Sequence, residues 1–187
     1  PDSEYAQRLE RIADRLGHQI EGTPVNYKVY MTDDINAWAM ANGCVRVYSG
    51  LMDAMNDNEV EGVLGHEMGH VEQRHSIAQM GKSTLLDLAV RLTTDGGDNA
   101  ETIGRIAESI ANNKISQSDE HESDHMGQAH LIQMGINPRH AVDAMKLLMK
   151  GTENMEPEII TEIFGSHPPS QERVEELSKG AEGYPSL

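Results

Sequence analysis

The chain has 187 residues, of which 37% are hydrophobic and 4% aromatic, and its formal net charge is −16. A surface this acidic repels nucleic acid and anionic lipid, so we exclude DNA- and RNA-binding functions. The only cysteine, Cys44, excludes an internal disulfide framework and is expected to be a half-buried strand residue. No run approaches the ~20 apolar residues of a membrane-spanning helix, and the length suits a single domain over residues 1–187.

The hydrophobic pattern predicts an α+β fold that is mainly helical and contains a small antiparallel hairpin sheet. Residues 3–20 have apolar side chains at helical spacing, with Ser3 as the N-cap. Residues 25–49 alternate between apolar and polar side chains, as half-buried strands do. Asn42-Gly43 between two such runs predicts the turn of a β-hairpin.

A helix is predicted from about Asn58 to Ser76, with Asn58 and Glu61 at the spacing of a capping box. Gly65 and Gly69 lie on one face of this helix, where each costs ~1 kcal/mol relative to alanine, so we expect another element to pack closely against them. Further helices are predicted over residues 83–115 (a helical insertion or flexible segment), 117–135, 138–150, 157–163 (within an irregular stretch, 151–169) and 170–179.

The pentapeptide His66-Glu67-Met68-Gly69-His70 has the H-E-x-x-H pattern. Residues i and i+4 share a helix face, so two imidazoles can reach one tetrahedral zinc ion. The carboxylate of Glu67 can then accept a proton from a zinc-activated water. The chain has 9 histidines, and a chance match is on the order of 4%, so the interpretation depends also on the helical context.

Two histidines leave zinc short of ligands, and a third one is required. The metzincin extension needs glycine at position 73 and histidine at position 76, where the chain has Gln73 and Ser76. We therefore expect Glu120 of a later helix to bind zinc, and Asp124, one turn further on, to accept a hydrogen bond from a ligand imidazole. Three neighbouring side chains are alternative donors: His121, Glu122 and His125.

These motifs resemble the gluzincin family of HtpX and the CAAX prenyl proteases, metallopeptidase family 48. The resemblance also includes His167-Pro168 and Arg173 near the C-terminus. It is dense over residues 26–71, which are similar to a bacterial periplasmic lipoprotease of that family, and over residues 116–127.

The resemblance implies a metalloendopeptidase with one zinc ion per chain, held by His66, His70 and Glu120. It places His167 near the metal, either to stabilise the oxyanion or to occupy the open coordination position as a gate. It makes Arg173 an anchor for the loop that carries His167.

The chain departs from the family pattern at two positions of the predicted second zinc-site helix. Gln117 stands where relatives usually carry arginine, and Ser123 where they usually carry alanine. The first departure puts a supporting salt bridge in question but leaves the predicted metal ligands unchanged.

An edge strand beside the zinc helix can pair with an extended substrate backbone. Residues 37–42 are the candidates for this strand. The side chains predicted to contact substrate are those of Ala39, Met40, Ala41 and Asn42. We interpret Trp38 as packing within the hairpin rather than as a wall of a substrate pocket.

The sequence thus predicts a zinc metalloendopeptidase that cuts unfolded or misfolded proteins of the bacterial envelope. The expected partners are protein or peptide substrates. The resemblance implies a periplasmic location at the outer membrane, with membrane contact only through a removed N-terminal lipid anchor, because the chain starts at Pro1 like a processed form. Two alternatives stay open: a chaperone-like binder of the same proteins with gated or minor proteolysis, and a zinc hydrolase of non-peptide amides.

Overall fold

A computed structural model describes residues 3–73, 117–154 and 167–186. Its helices are α1 (Glu4–Leu16), α2 (Ser49–Ala54), α3 (Asp57–Glu72), α4 (Gln117–Gln133), α5 (Arg139–Asn154) and α6 (Gln171–Gly180). Its strands are β1 (Gln19–Ile20), β2 (Thr23–Pro24), β3 (Asn26–Tyr30), β4 (Ala37–Ala39) and β5 (Cys44–Tyr48). The predicted α+β, mainly helical class is confirmed.

Two predicted helical segments, 83–115 and 157–163, lie outside the described residues, and the single domain stays a prediction. Among the helices that are described, none combines the length and the apolar composition needed to cross a bilayer.

Helix α1 begins as predicted but ends earlier. The hydroxyl of Ser3 accepts a hydrogen bond from the backbone N–H of Ala6 at 3.1 Å, which confirms the N-cap. The prediction that the helix continues to residue 20 is wrong, because Gly17 has a φ of 89° and its N–H bonds to the carbonyl of Ala13 at 2.8 Å. Glycine adopts this conformation at little cost and so terminates the helix.

The predicted hairpin is confirmed. Strands β4 and β5 pair antiparallel, with Ala37 opposite Val47 and Ala39 opposite Val45. Gly43, at a φ of 83°, closes the turn between them. The sheet is mixed rather than purely antiparallel, because β3 pairs with β5 in parallel. The strand order β3-β5-β4 places β4 at an edge.

The capping box of α3 lies two residues before the predicted one. Asn56 accepts a hydrogen bond from the N–H of Glu59 at 3.0 Å, and the carboxylate of Glu59 accepts one from the N–H of Asn56 at 2.8 Å. The pairing of Asn58 with Glu61 was wrong, because Glu61 is fully buried between helices. Both pairs have the same spacing, so only packing distinguishes them.

The later helices differ from the prediction at their ends. Helix α4 ends two residues before the predicted position 135, where Gly135 has a φ of 73°. Helix α5 continues to Asn154, four residues into the stretch predicted to be irregular. Ser170 caps α6, its hydroxyl accepting from the N–H of Arg173 at 3.2 Å.

Helix α3 is the central element of the described structure. It contacts α1, α2, α4 and α5 as well as β1 and β4. Val60, Leu64 and Met68, one turn apart, are fully buried on one face. A helix that is enclosed on several sides holds its side chains in fixed positions, which suits it to carry a site.

The glycine face of α3 packs closely against α4, as the sequence predicts. A Cβ atom on Gly69 would lie 2.4 Å from the backbone oxygen of Ser123. Likewise, a Cβ atom on Gly127 of α4 would lie 2.6 Å from the backbone oxygen of Gly65. The two helix backbones are therefore in direct contact, and no larger residue fits at these crossing points.

We expect Gly69→Ala to lower the free energy of unfolding. Its Cβ would meet a rigid backbone oxygen, whereas the Cβ of Gly65→Ala would meet the side chain of Leu131 at 3.2 Å, which can shift. Both variants gain the same helix propensity, so Gly65→Ala is the matched control. Urea unfolding should show Gly69→Ala less stable than Gly65→Ala by about 2 kcal/mol. Equal stabilities would contradict the backbone contact.

Candidate active site

Helix α3 presents two histidines to one point. The Nε2 atoms of His66 and His70 are 3.0 Å apart, and the rings meet edge to face with centroids 4.7 Å apart. Glu67, between them in sequence, is 3% exposed. The one-turn spacing therefore brings both imidazoles together, as the sequence predicts from helical geometry.

Helix α4 adds a carboxylate to the same point. Oε2 of Glu120 lies 3.3 Å from Nε2 of His66, and Oε1 lies 3.1 Å from Nε2 of His70. The side chain is 1% exposed. A glutamate can reach both imidazoles because α4 crosses α3 at Gly69 without an intervening side chain.

His167, just before α6, lies against this cluster. Its Nδ1 atom is 3.2 Å from Nε2 of His66 and 3.0 Å from Oε1 of Glu120. Its Nε2 atom is 3.4 Å from Oε1 of Glu67. The ring of His167 thus stands between the Nε2 atoms of His66 and His70 and the carboxylate of Glu67.

The donor atoms are arranged as ligands of one ion. Those of His66, His70, Glu120 and His167 all lie within 4.8 Å of one another. Zinc–ligand bonds of ~2.0–2.1 Å in a tetrahedron place ligand atoms about 3.3–3.4 Å apart. The observed separations of 3.0–3.3 Å are close to that value.

The carboxylate of Glu120 is buried against an arginine and an imidazole. Its Oε2 atom lies 2.8 Å from Nη1 of Arg173 and 3.3 Å from Nε2 of His66. The positive charge of Arg173 favours the anionic form of this carboxylate, which is the form that binds a metal ion. Nitrogen and carboxylate donors in this number are the set that zinc prefers, so the residues present fit zinc.

Asp124 and Arg173 form a buried ion pair behind the first histidine. Oδ1 of Asp124 lies 2.8 Å from Nδ1 of His66. Arg173 donates to Asp124 through Nε at 2.6 Å and Nη2 at 2.8 Å, and through Nη1 to the carbonyl of Pro168 at 2.9 Å. The arginine therefore links α4 to α6 and to the residue that follows His167.

Burial and hydrogen bonding set the protonation of the cluster. Burial lowers the pKa of His66, but hydrogen bonds to Asp124 and Glu120 outweigh it and raise this pKa to about 10. Burial lowers the pKa of His70 below its ordinary value. Burial raises the pKa of Glu120, yet hydrogen bonds from His167 and the other two histidines hold it far below its usual range. A metal ion held here would bind an anionic carboxylate and would compete with a proton for His66.

A further contact was not predicted from the sequence. The hydroxyl of Ser123 lies 2.8 Å from Nδ1 of His70, and Ser123 is fully buried. The signal was present, because residues 120, 123 and 124 share one helix face. From the sequence alone, Ser123 stands out only as a departure from the alanine that the resemblance implies.

An apolar cavity opens beside the cluster. It borders His66, Glu67 and His167, and its apolar wall comes mainly from α5. The residues of that wall are Val63, Ala141, Ala144, Met145, Leu148 and Leu177.

The three alternative donors do not reach the cluster. Nδ1 of His121 lies 2.6 Å from Oε2 of Glu176 on α6. Glu122 and His125 are exposed on the outer side of α4. The structure therefore brings together Glu120 and the two histidines and leaves the neighbouring donors outside.

The predicted substrate strand is shorter than expected. Strand β4 ends at Ala39, whereas Met40, Ala41 and Asn42 belong to the hairpin turn. The N–H of Met40 bonds to the carbonyl of Cys44, and its own carbonyl accepts from the N–H of Gly43. The backbone of Met40 is engaged within the hairpin, so an edge strand over residues 37–42 is wrong beyond Ala39.

Ala39 nevertheless has the orientation that strand addition requires. Bonds from Met40 to Cys44 and from Tyr48 to Asn36 mark the hydrogen-bonded pairs of the hairpin. Hydrogen-bonded and non-hydrogen-bonded pairs alternate in an antiparallel ladder. Ala39, opposite Val45, belongs to a non-hydrogen-bonded pair and therefore directs its N–H and carbonyl away from β5.

Trp38 packs within the sheet, as predicted. Its ring lies 6.0 Å from that of Tyr30 in an edge-to-face arrangement, and the guanidinium of Arg46 stands 5.9 Å from its centroid. Cys44, at the start of β5, is half-buried, as the sequence suggested.

The family model of Peptidase family M48 matches residues 1–181. The chain belongs to Peptidase family M48. It is 47% identical over 181 residues to Metalloprotease YcaL of Escherichia coli (strain K12), covering 94% of this chain and 69% of the relative. It is 44% identical over 183 residues to Metalloprotease LoiP of the same organism, covering 94% of this chain and 70% of the relative. A Vibrio cholerae protein provisionally named beta-barrel assembly-enhancing protease is 27% identical over 203 residues, covering 96% and 40%.

The resemblance found in the sequence is therefore confirmed. This M48 chain is a protease, and its family implies a bound metal ion. The His-Glu cluster of α3 and α4 is the candidate site for that ion.

We expect Asp124→Asn to destabilise the metal-free protein above about pH 4. The pKa of Asp124 is lowered from 3.8, because hydrogen bonds from Arg173 and His66 outweigh the effect of burial. A lowered pKa stabilises the fold above the unfolded-state pKa, and this contribution is lost as the pH falls through the folded-state pKa.

The difference in unfolding free energy between wild type and Asp124→Asn should thus be full at neutral pH and shrink below about pH 4. Urea unfolding with a chelator, from pH 3 to 7, measures it. Asp119→Asn on the same helix is the control. A difference that grows on acidification would contradict the assignment.

Proposed function

We propose that this M48 protease is a zinc-dependent endopeptidase in which His66, His70 and Glu120 hold the ion. The convergence of three side chains from two helices, with donor atoms 3.0–3.3 Å apart, carries this proposal. Two buried carboxylates, those of Glu120 and Asp124, also support it, because the first lies against both Nε2 atoms and the second holds Nδ1 of His66.

Glu67 is the proposed general base. When bound, zinc supplies a Lewis acid that polarises the scissile carbonyl and acidifies water. Glu67 directly follows His66, a proposed ligand, and its carboxylate is almost fully buried at the site. From this position it can take a proton from the attacking water and give it to the leaving amine.

Strand β4 is the proposed binding edge for the substrate backbone. The outward N–H and carbonyl of Ala39 can pair with an extended peptide. Because β4 contacts α3, such a peptide would pass near the metal ligands. Met40, 41% exposed in the turn, is positioned to touch a side chain of the peptide rather than its backbone.

The apolar cavity beside Glu67 is the proposed pocket for a substrate side chain. Its wall of alanine, valine, methionine and leucine side chains disfavours charged groups. We therefore expect cleavage next to a residue of apolar character.

The proposed substrates are unfolded or misfolded proteins of the bacterial envelope. Backbone pairing at an edge strand needs an extended segment, which folded proteins rarely expose. The name of the Vibrio cholerae relative refers to the assembly of β-barrels, the architecture of proteins that span bacterial outer membranes. A periplasmic location at the outer membrane is proposed on the same ground.

A second candidate function is a gated binder of the same proteins. It is favoured by Nδ1 of His167, which occupies the position of a fourth donor. In that position the ring would hinder the entry of a substrate carbonyl. In the alternative role, His167 would donate a hydrogen bond to the oxyanion.

We expect Glu120→Ala to lose bound zinc. Wild type should retain about one zinc ion per chain after dialysis, and Glu120→Ala much less, because the site then loses its anionic ligand and keeps only imidazoles. Glu122→Ala, on the exposed side of α4, is the matched control and should retain zinc. Elemental analysis gives the stoichiometry, and circular dichroism verifies folding. Full zinc in folded Glu120→Ala would exclude this ligand.

We expect Glu67→Gln to abolish casein cleavage while zinc stays bound. Loss of a general base lowers rates by 10²–10⁴-fold, whereas Glu72→Gln, at the end of the same helix, should cleave normally. Unchanged cleavage in Glu67→Gln would contradict the mechanism. His167→Ala separates the candidate roles of that residue: faster cleavage supports a gate, and slower cleavage supports oxyanion stabilisation. A wild type that binds unfolded casein but never cuts it would favour the binder.

A further inference from the structure

Ser123 contacts the second histidine of the cluster from the same helix that provides Glu120. Its hydroxyl lies 2.8 Å from Nδ1 of His70, and the residue is fully buried. The distance is that of a hydrogen bond, and the site is closed to solvent. The contact is on the side of the imidazole opposite to Nε2, the atom that faces Glu120.

The next residue has the equivalent contact with the first histidine. Asp124 holds Nδ1 of His66 at 2.8 Å. Adjacent residues of α4 therefore contact the two imidazoles of α3 through the same ring atom. One turn of α4 thus provides a carboxylate that faces both Nε2 atoms and two side chains that hold both Nδ1 atoms.

The helix crossing fixes the position of the serine. The backbone of Ser123 lies so close to Gly69 that a Cβ there would be 2.4 Å from its carbonyl oxygen. Because Gly69 immediately precedes His70, the hydroxyl and the ring are held by two neighbouring backbone segments. This leaves the contact little freedom to adjust.

We propose that Ser123 is a positioning residue of the metal site, whose hydroxyl accepts a hydrogen bond from Nδ1–H of His70. This bond selects the tautomer in which Nε2 has its lone pair free, and it sets the ring plane so that Nε2 points to the ion. The inference rests on the proposed function, since it needs zinc at this site.

The size of the effect follows from the chemistry of the acceptor. Partners that hold the second nitrogen of a metal-binding imidazole change metal affinity by 10–100-fold. A hydroxyl is a neutral acceptor, weaker than the carboxylate of Asp124. We therefore expect Ser123→Ala to weaken zinc binding about 10-fold, at the lower end of that range.

Zinc affinity is the first measurement. Dissociation constants are determined by competition with a chromophoric chelator for wild type and Ser123→Ala. Ser118→Ala, an exposed serine on the same helix, is the matched control and should bind like wild type. An affinity of Ser123→Ala within twofold of wild type would overturn the proposal.

The second measurement follows the Nδ1 proton of His70 by NMR. If Ser123 served only in packing, its replacement would leave this proton unchanged. In zinc-loaded protein with ¹⁵N-labelled histidine, the Nδ1 proton of His70 should be visible and slow to exchange with water. Ser123→Ala should broaden it or speed its exchange, while the resonances of His66 stay as they are. An unchanged Nδ1 proton in Ser123→Ala would overturn the hydrogen bond.

Failure of this inference differs from failure of the proposed function. If wild type and Glu120→Ala both bind no zinc, the proposed metal site is wrong and the inference falls with it. If wild type binds zinc, Glu120→Ala does not, and Ser123→Ala binds as wild type does, the metal site stands and only the role of the serine is overturned.

Discussion

The direct backbone contact between α3 and α4 is the constraint on which the site depends. It requires glycine at the crossing points, because a Cβ on Gly69 or Gly127 would collide with a backbone carbonyl of the other helix. Glycine within a helix costs roughly 1 kcal/mol relative to alanine, and here the loss is offset by an approach that larger residues prevent. Only at this separation can a glutamate on α4 contact both imidazoles of α3.

The second constraint is electrostatic. The site buries three carboxylates, an arginine and a histidine whose pKa is raised, and buried charges are unfavourable unless they are paired. Arg173 contacts Asp124 and also donates a hydrogen bond to the carbonyl of Pro168. The arginine that compensates the charge of Asp124 therefore also fixes the loop next to His167. Charge compensation and placement of the fourth donor are therefore one structural feature. A metal ion bound by Glu120 would add to that compensation.

Much of the architecture follows from local sequence. Asn-Gly between alternating runs predicts the hairpin, and apolar spacing predicts the helices, because both signals depend on neighbours in the chain. The errors are at element ends: α1 stops at Gly17, and the capping box uses Asn56 instead of Asn58. The first error overlooks a local signal, the glycine that ends α1. For the capping box two local solutions were acceptable, and packing decided between them, since Glu61 lies inside the protein, where His140 contacts its carboxylate at 2.9 Å.

For the site, the spacing of His66, Glu67 and His70 and the family pattern were enough to indicate a metalloprotease before any coordinates. Helical periodicity is a local property, so it also placed Glu120 and Asp124 on one face. It could not show which face of α4 meets α3, and His121, Glu122 and His125 stayed eligible until the helix crossing excluded them. The hydroxyl of Ser123 became visible only there, because a contact between residues 53 positions apart depends on how two helices pack.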